Sequence, residues 1–153
     1  MQSYNTIRDY SMDNKKYNYF VETLGYLGAK NIVIKKSRRK IHIHMNLPIH
    51  YNLSSVILDK IPVVMSAMIN EDMVIDKSTN QFSDKWVDLL NNFSTSMLGE
   101  DIIIIPYINY RSNLWNDSEA EANCNILKNE FDNKIIYDAD TLYHYEAKIA
   151  CNG

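Results

Sequence analysis

Histidines and cysteines are the side chains of this 153-residue sequence best suited to chemistry near neutral pH. His42 and His44 are separated by one residue in an alternating apolar and polar segment. A histidine can both accept and donate a proton because its reference pKa lies near neutrality. A cysteine is a nucleophile only as a thiolate, which a nearby cation must favour. Cys151 is therefore either a candidate nucleophile or an inert buried residue, and Cys124 lies on an apolar helical stripe typical of a core residue.

The spacing of His42 and His44 also permits a metal site. Alternate residues of a strand point to one face with their Cα atoms about 6.5–7 Å apart. Two imidazoles could then share an ion, with His50 or His144 as a third ligand. The competing interpretation is a pair of solvent-facing strand histidines, because His-x-His is a short motif. We predict no bound metal and no other cofactor.

A basic run, KKSRRK, occupies positions 35–40. Such a cluster could bind phosphates or an acidic partner. It lies between two predicted strands, which favours a solvated hairpin turn instead. The net charge of −3 also argues against general nucleic-acid binding, so we predict that nucleic acid is not a partner.

Apolar periodicity in the first half of the chain predicts one helix followed by strands. Asp13 or Asn14 can cap the helix, and Gly28 can end it. Its buried face is predicted at helical spacing, at Tyr17, Phe20, Val21, Leu24 and Leu27. Strands are predicted at Asn31–Ile34, Ile41–Leu47, Ser55–Leu58, Val63–Ala67 and Met73–Ile75.

In the second half a helix is predicted from Ser83 or Asp84, with Trp86, Val87, Leu89 and Leu90 on its apolar side. The apolar run Asp101–Ile108 then predicts a strand buried on both faces, with Pro106 near its end. Tyr107, Tyr110 and Trp115 are expected to line the loop that follows, beside a ligand or over the core edge.

A capping box of Asn116 and Glu119 predicts the start of the last helix. Its apolar stripe contains Ala120, Cys124, Leu127 and Phe131, and Asp132-Asn133 is predicted to end it. A strand at Lys134–Tyr137, a turn around Asp138–Thr141 and a short strand at Lys148–Cys151 complete the pattern.

This alternation indicates an α/β protein with one domain over residues 1–153, of which residues 1–12 form an N-terminal arm. Two cysteines do not make a disulfide framework. The sequence shows no charged-then-apolar leader and no apolar run long enough to span a bilayer, so we expect a cytoplasmic protein without a membrane partner.

The order of elements resembles the closing repeat of the pentein superfamily of guanidine-modifying enzymes, in its agmatine deiminase and bacterial peptidylarginine deiminase branch. IIIIP, NDSEAEANCNILKNEF and Ile149-Ala150-Cys151-Asn152 stand where that family has a strand, a helix and the nucleophile segment. Asn92-Phe93 ahead of the strand also fits. The likeness covers roughly Ile41 to Cys151 and implies a single domain of ββαβ-like units, part of an α/β propeller.

The resemblance implies a cysteine-dependent hydrolase or amidinotransferase-like protein acting on a small guanidine compound or an arginine side chain. Cys151 would be the nucleophile and His42 the acid and base, with no cofactor required. His44 replaces the carboxylate expected two residues after the histidine, so His44, Glu146 and Asp140 are the candidate substrate-binding residues. A homo-oligomer is also compatible with the sequence.

The chain departs from the family pattern in two further ways. It has no acidic-Gly-Gly-Asn segment, and Tyr145–Lys148 replaces the glycine-rich approach to the cysteine. Because a guanidinium pairs best with a planar carboxylate, these losses favour a second interpretation. That alternative is a non-catalytic pentein-like interaction protein, a viral or phage pseudoenzyme, and a His-x-His metal-binding protein is the third.

Overall fold

The architecture is given by a computed structural model, which describes residues 14–52, 54–110 and 116–134. Within these ranges the elements follow in the order α1 (Asn14–Tyr26), β1 (Lys30–Ser37), β2 (Lys40–Pro48), α2 (Ser55–Lys60), α3 (Val63–Asn70), β3 (Ile75–Asp76), β4 (Gln81–Phe82), α4 (Asp84–Leu98), β5 (Ile102–Asn109) and α5 (Asp117–Lys134). The α/β class predicted from the sequence is confirmed.

The main sheet has the strand order β1-β2-β5. β1 and β2 form an antiparallel hairpin, and β2 pairs in parallel with β5. The hairpin turn consists of Arg38 and Arg39, and Arg38 has a φ of 58°. A polar turn is confirmed here, but it is shorter than the predicted span of positions 35–40, whose other residues belong to β1 and β2. The predicted strands at Asn31–Ile34 and Ile41–Leu47 are likewise confirmed. The shorter β3 and β4 form a separate antiparallel pair.

The two faces of the main sheet differ in burial. The alternation of β2 is confirmed, because Ile41, Ile43, Met45 and Leu47 are buried while the intervening residues are half-buried. β5 follows the same pattern: Ile102 and Ile104 are buried, but Ile103 and Ile105 are half-buried. The prediction that this strand is buried on both faces is therefore wrong, since in the described part of the chain the buried strand residues share one core with the helices.

Two segments predicted as strands are helices. Ser55–Leu58 lies in α2, where the hydroxyl of Ser54 accepts a hydrogen bond from the Ile57 N–H at 3.1 Å as an N-cap. Val63–Ala67 lies in α3, whose buried residues Met65, Met68 and Ile69 recur at helical spacing. The predicted segment ends before Met68 and Ile69, so it is too short to show the helical repeat.

Helices α1 and α5 pack closely because Gly25 has no side chain. A Cβ atom placed on Gly25 would stand 2.7 Å from the Cα atom of Cys124. One residue earlier in α5, the buried Asn123 amide donates hydrogen bonds of 3.1 Å to the carbonyls of Gly25 and Ala29. These bonds satisfy polar groups at the end of α1, where Gly28 has the left-handed φ of 86° that favours glycine.

Several predicted helix signals are confirmed in the described part of the chain. All five residues predicted for the apolar face of the first helix are buried, although Leu27 lies one residue beyond the end of α1. The Ser83 hydroxyl caps α4 by accepting from the Trp86 N–H at 3.1 Å. In α4, Trp86 and Leu90 are buried whereas Val87 and Leu89 are half-buried. Asn116 and Glu119 exchange the two hydrogen bonds of a capping box, at 3.2 and 3.1 Å.

Four of the predicted segments fall on residues outside the described ranges: the arm at 1–12, the strand residues 135–137, the turn at 138–141 and the segment 148–151. Lys134 itself is the last residue of α5 rather than the first of a strand. In the described part of the chain, no helix is both long enough and apolar enough to cross a membrane.

Candidate functional site

The least covered surface of the main sheet, in the described part of the chain, is the face opposite the helices, here called the open face. Residues that pair across the three strands form rows on this face. One row contains Lys35, His42 and Ile103. The next row contains Val33, His44 and Ile105. Asn46 and Tyr107 form a third row. The two histidines therefore share a face, as their spacing predicts, and both are half-buried.

His44 makes a specific contact with Tyr107 near the centre of the open face. The His44 Nδ1 and the Tyr107 hydroxyl are hydrogen-bonded at 2.8 Å. The two rings also stack, with centroids 5.7 Å apart and planes inclined by 11°. Which of the two groups donates depends on the histidine tautomer. The result is a paired aromatic surface in which Tyr107 keeps 49% of its area exposed.

The electrostatic surroundings of His44 favour its neutral form. Burial lowers the pKa of His44 below its usual 6.5, and the positive charges of Lys35 and His42 lower that pKa further. At neutral pH the stacked ring is therefore uncharged. A neutral imidazole can accept a hydrogen bond at one nitrogen, which suits the observed contact with a hydroxyl.

The described residues do not assemble a metal site. In these ranges no group of three His, Cys, Asp or Glu side chains is placed to hold an ion. His50, a suggested third ligand, is exposed just after the end of β2, and His144 lies outside the described residues.

The remaining predicted site residues, Cys151, Glu146 and Asp140, also lie outside the described residues. The other cysteine, Cys124, is half-buried on α5, next to α1. Burial, and then the charge of Glu22, raises the pKa of the Cys124 thiol, so it has little thiolate character. This agrees with the packing role predicted for it.

Cations cluster at one end of the open face. Lys35, Arg38, Arg39 and Lys40 are all exposed, and the Lys40 ammonium donates to the Glu100 carbonyl at 3.1 Å. None of the open-face positions of β1, β2 or β5 carries an aspartate or glutamate. The open face thus combines a neutral ring pair with an adjoining positive turn.

Tyr110 directly follows the last residue of β5 and contacts the β3–β4 turn rather than the His44–Tyr107 pair. It is 70% exposed, and its hydroxyl donates to the Asn80 carbonyl at 3.3 Å. Tyr107, which was expected in a loop, belongs to the strand instead. Trp115 lies outside the described residues. The pairing of Tyr107 with His44 was missed because sequence periodicity does not reveal which strand lies beside β2.

The described residues on the helical side line grooves, of which two are notable. One of about 520 Å³ lies between α1 and α5 and is lined by residues including Tyr19, Glu22 and Cys124. The other, of about 300 Å³, lies between α3 and α4 and is mainly apolar, with Val64, Met68 and Met73 in its wall. Neither contains His42 or His44, so the chemistry predicted from sequence does not map to them.

Comparisons of this chain with models of protein families, with curated proteins and with solved structures find no match.

Proposed function

We propose that the protein is a non-catalytic binding module that holds its ligand on the open face. The observation that carries the proposal is the stacked and hydrogen-bonded pair of His44 and Tyr107 at the centre of that face. The hydrogen bond fixes the orientation of two rings that a ligand can contact. A surface of this kind needs no reacting group to be useful, because binding requires only shape, stacking and charge.

The chemistry of the open face suits an anionic or aromatic ligand better than a guanidinium. A guanidinium needs a carboxylate partner, and the open-face positions of the three strands supply none. They supply instead Lys35 and the adjoining Arg38-Arg39 turn. This balance favours the interaction protein over the hydrolase among the functions suggested by the sequence.

An NMR titration tests the binding role. Backbone amide signals of the full chain would be followed while single-stranded oligonucleotide, duplex, polyglutamate and agmatine are added separately. We expect at least one anionic or aromatic ligand to shift signals of β1, β2 and β5, and His44→Ala to weaken that response. Tyr19→Ala, on the helical side, serves as the control. Shifts confined to the α1–α5 groove would contradict the proposal.

The second candidate function is the cysteine-dependent guanidine hydrolase of the pentein type. Two observations support it: the order β1, β2, helices, β5 gives a ββαβ unit, and His42 lies on the open face. In that function Cys151 attacks the guanidinium carbon, and His42 protonates the leaving amine and then activates water. Glu146 or Asp140 would supply the missing carboxylate.

Labelling with a haloacetamidine reagent at neutral pH separates the two functions. A hydrolase predicts rapid labelling of Cys151 and slow labelling of Cys124, whose thiol pKa is raised. It also predicts guanidine turnover that His42→Ala abolishes and His44→Asp increases, with metal content at background. Equal, slow labelling of both cysteines with no turnover would leave the binding module as the function.

A further inference from the structure

We propose that the ligand of the open face is a single strand of nucleic acid. Its bases would stack on the His44–Tyr107 pair, and its phosphates would contact the basic turn of Lys35, Arg38, Arg39 and Lys40. This inference rests on the proposed binding role and specifies the ligand class.

The stacking part of the argument comes from the geometry of the rings. The rings of His44 and Tyr107 are nearly parallel, with an 11° angle between their planes, and the hydrogen bond between them restrains both side chains. Because Tyr107 is half-exposed, its ring surface is accessible to a base. Aromatic side chains on an open sheet bind unpaired bases in this way, since every base has a π-face.

The electrostatic part comes from the position of the turn. Between Lys40 at the start of β2 and Asn46, which pairs with Tyr107, the strand advances about 20 Å at ~3.3 Å per residue. A few nucleotides of extended strand can therefore reach from the rings to the cations. The acidic residues Glu100 and Asp101 lie at the entry to β5, beside Lys40, so Arg38 and Arg39 are the best placed to contact phosphate.

The net charge of −3 argues against nucleic acid as a partner, but that value averages over the whole chain. At the open-face positions within the three strands the charged side chains are all basic, and the acidic Glu100 and Asp101 lie just outside β5, beside Lys40. A duplex cannot offer unpaired bases to the ring pair. An acidic peptide offers charge for the turn but no necessary partner for the rings. Single-stranded nucleic acid is the ligand class that uses both features.

Fluorescence anisotropy with the full chain and a labelled oligothymidylate of about 12 nucleotides tests the inference. We expect saturable binding at low salt that weakens as salt is raised. Tyr107→Ala should weaken binding about tenfold or more, whereas Tyr107→Phe, which keeps the ring, should retain most of it. Tyr19→Ala is the matched control for an exposed aromatic on the helical side and should have no effect.

The basic turn is tested by a separate variant on an exposed loop where folding is not at risk. Arg38→Gln with Arg39→Gln should reduce the slope of log affinity against log salt by about 1.4, because each phosphate that an arginine neutralises contributes ~0.7 to that slope. Lys15→Gln with Lys128→Gln, in the α1–α5 groove, is the control and should leave the slope unchanged.

Three results would overturn the inference: no saturable binding at low salt, equal or tighter binding of duplex or polyglutamate, or equal effects of Tyr107→Ala and Tyr19→Ala. The NMR titration distinguishes this failure from failure of the binding role. If the oligonucleotide fails while another ligand still shifts open-face signals, the binding role stands and the ligand class is wrong.

Discussion

The side-chain amide of Asn91 in α4 hydrogen-bonds both backbone polar groups of Ile104 in β5. Its oxygen accepts from the Ile104 N–H at 2.8 Å, and its nitrogen donates to the Ile104 carbonyl at 3.1 Å. These groups therefore point away from β2. Because alternate residues of a strand direct their backbone groups to the same side, Pro106 also points outward. Its missing N–H costs no bond to β2, which explains how a proline is tolerated in the middle of β5.

Replacing Asn91 should leave backbone groups at the outer edge of β5 without a hydrogen-bond partner from α4. Asn91→Ala leaves the N–H and C=O of Ile104 without the amide, so we expect a loss of about 1–3 kcal/mol in the free energy of unfolding. An unprotected edge should also promote self-association, detectable by light scattering. Asn92→Ala, at the exposed neighbouring position, should change stability by no more than about 0.5 kcal/mol. Equal losses for the two variants in denaturant melts would count against this role.

The close contact between Gly25 and Cys124 predicts that replacing Gly25 with alanine destabilises the protein. Alanine in place of a helical glycine normally stabilises a protein by about 0.5–1 kcal/mol. Here the added Cβ would lie 2.7 Å from the backbone Cα of Cys124, so α1 and α5 must separate. We expect Gly25→Ala to lower the Tm, whereas Asn18→Ala, exposed on the same helix, should leave it unchanged or raise it. A higher Tm for Gly25→Ala would show that the two helices are less tightly apposed.

His44 predicts a dependence of stability on pH. Its pKa in the folded protein is lowered by burial and by the charges that face it, Lys35 on β1 and His42 on β2, with Tyr107 on β5 contributing a hydroxyl. The folded state holds the proton less tightly than the unfolded chain. The stability associated with neutral His44 is therefore full above pH 6.5 and is lost as the pH falls through the lower, folded-state pKa.

The measurement is the difference in unfolding free energy between the wild type and His44→Gln from about pH 8 to about pH 5. The wild type should lose stability relative to the variant as the solution is acidified. NMR titration of the His44 ring should give a pKa below 6.5 that rises in Lys35→Gln and not in Lys128→Gln. A constant difference across the range would show that the two states bind this proton equally.

Burial predicts a large difference in the free energy of unfolding between two single substitutions, one in the core and one in the hairpin turn. Phe131 is fully buried and meets the ring of Phe20 edge-on at 5.8 Å between centroids. Phe131→Ala should therefore cost about 3–5 kcal/mol. Arg39→Ala lies in the exposed hairpin turn and should cost within about 0.5 kcal/mol. Comparable losses of unfolding free energy for the two variants in denaturant melts would mean that the Arg39 side chain is buried rather than exposed.

Much of the secondary structure could be predicted from the sequence, because helix stripes, strand alternation and helix caps depend on residues that are close together in the chain. The stripe of α1, the alternation of β2 and the capping box of Asn116 and Glu119 were all readable from spacing alone. The prediction failed at α2 and α3, where short runs of β-branched residues resemble strands and the helical repeat needs a longer window. It also overestimated the burial of β5, because an unbroken apolar run does not show that one face lacks a covering layer.

The candidate site was predictable only as far as its two histidines. Their shared face follows from the period of a strand. The partner of His44 does not, because Tyr107 is brought beside it by the parallel pairing of β2 with β5, which joins distant parts of the chain. The lowered pKa of His44 likewise depends on Lys35 across the hairpin, and it can be inferred only once the register is known.

The same parallel pairing sets an order of assembly. The β1–β2 hairpin closes over the two residues Arg38 and Arg39, whereas the pairing of β5 with β2 closes a long loop that contains α2, α3 and α4. Since closing a long loop costs more entropy than closing a short one, we expect amides of the hairpin to gain protection before those of β5 in pulsed hydrogen exchange during refolding. Before β5 pairs with β2, one edge of β2 has unpaired backbone groups. We expect the refolding chain to aggregate most readily during that interval.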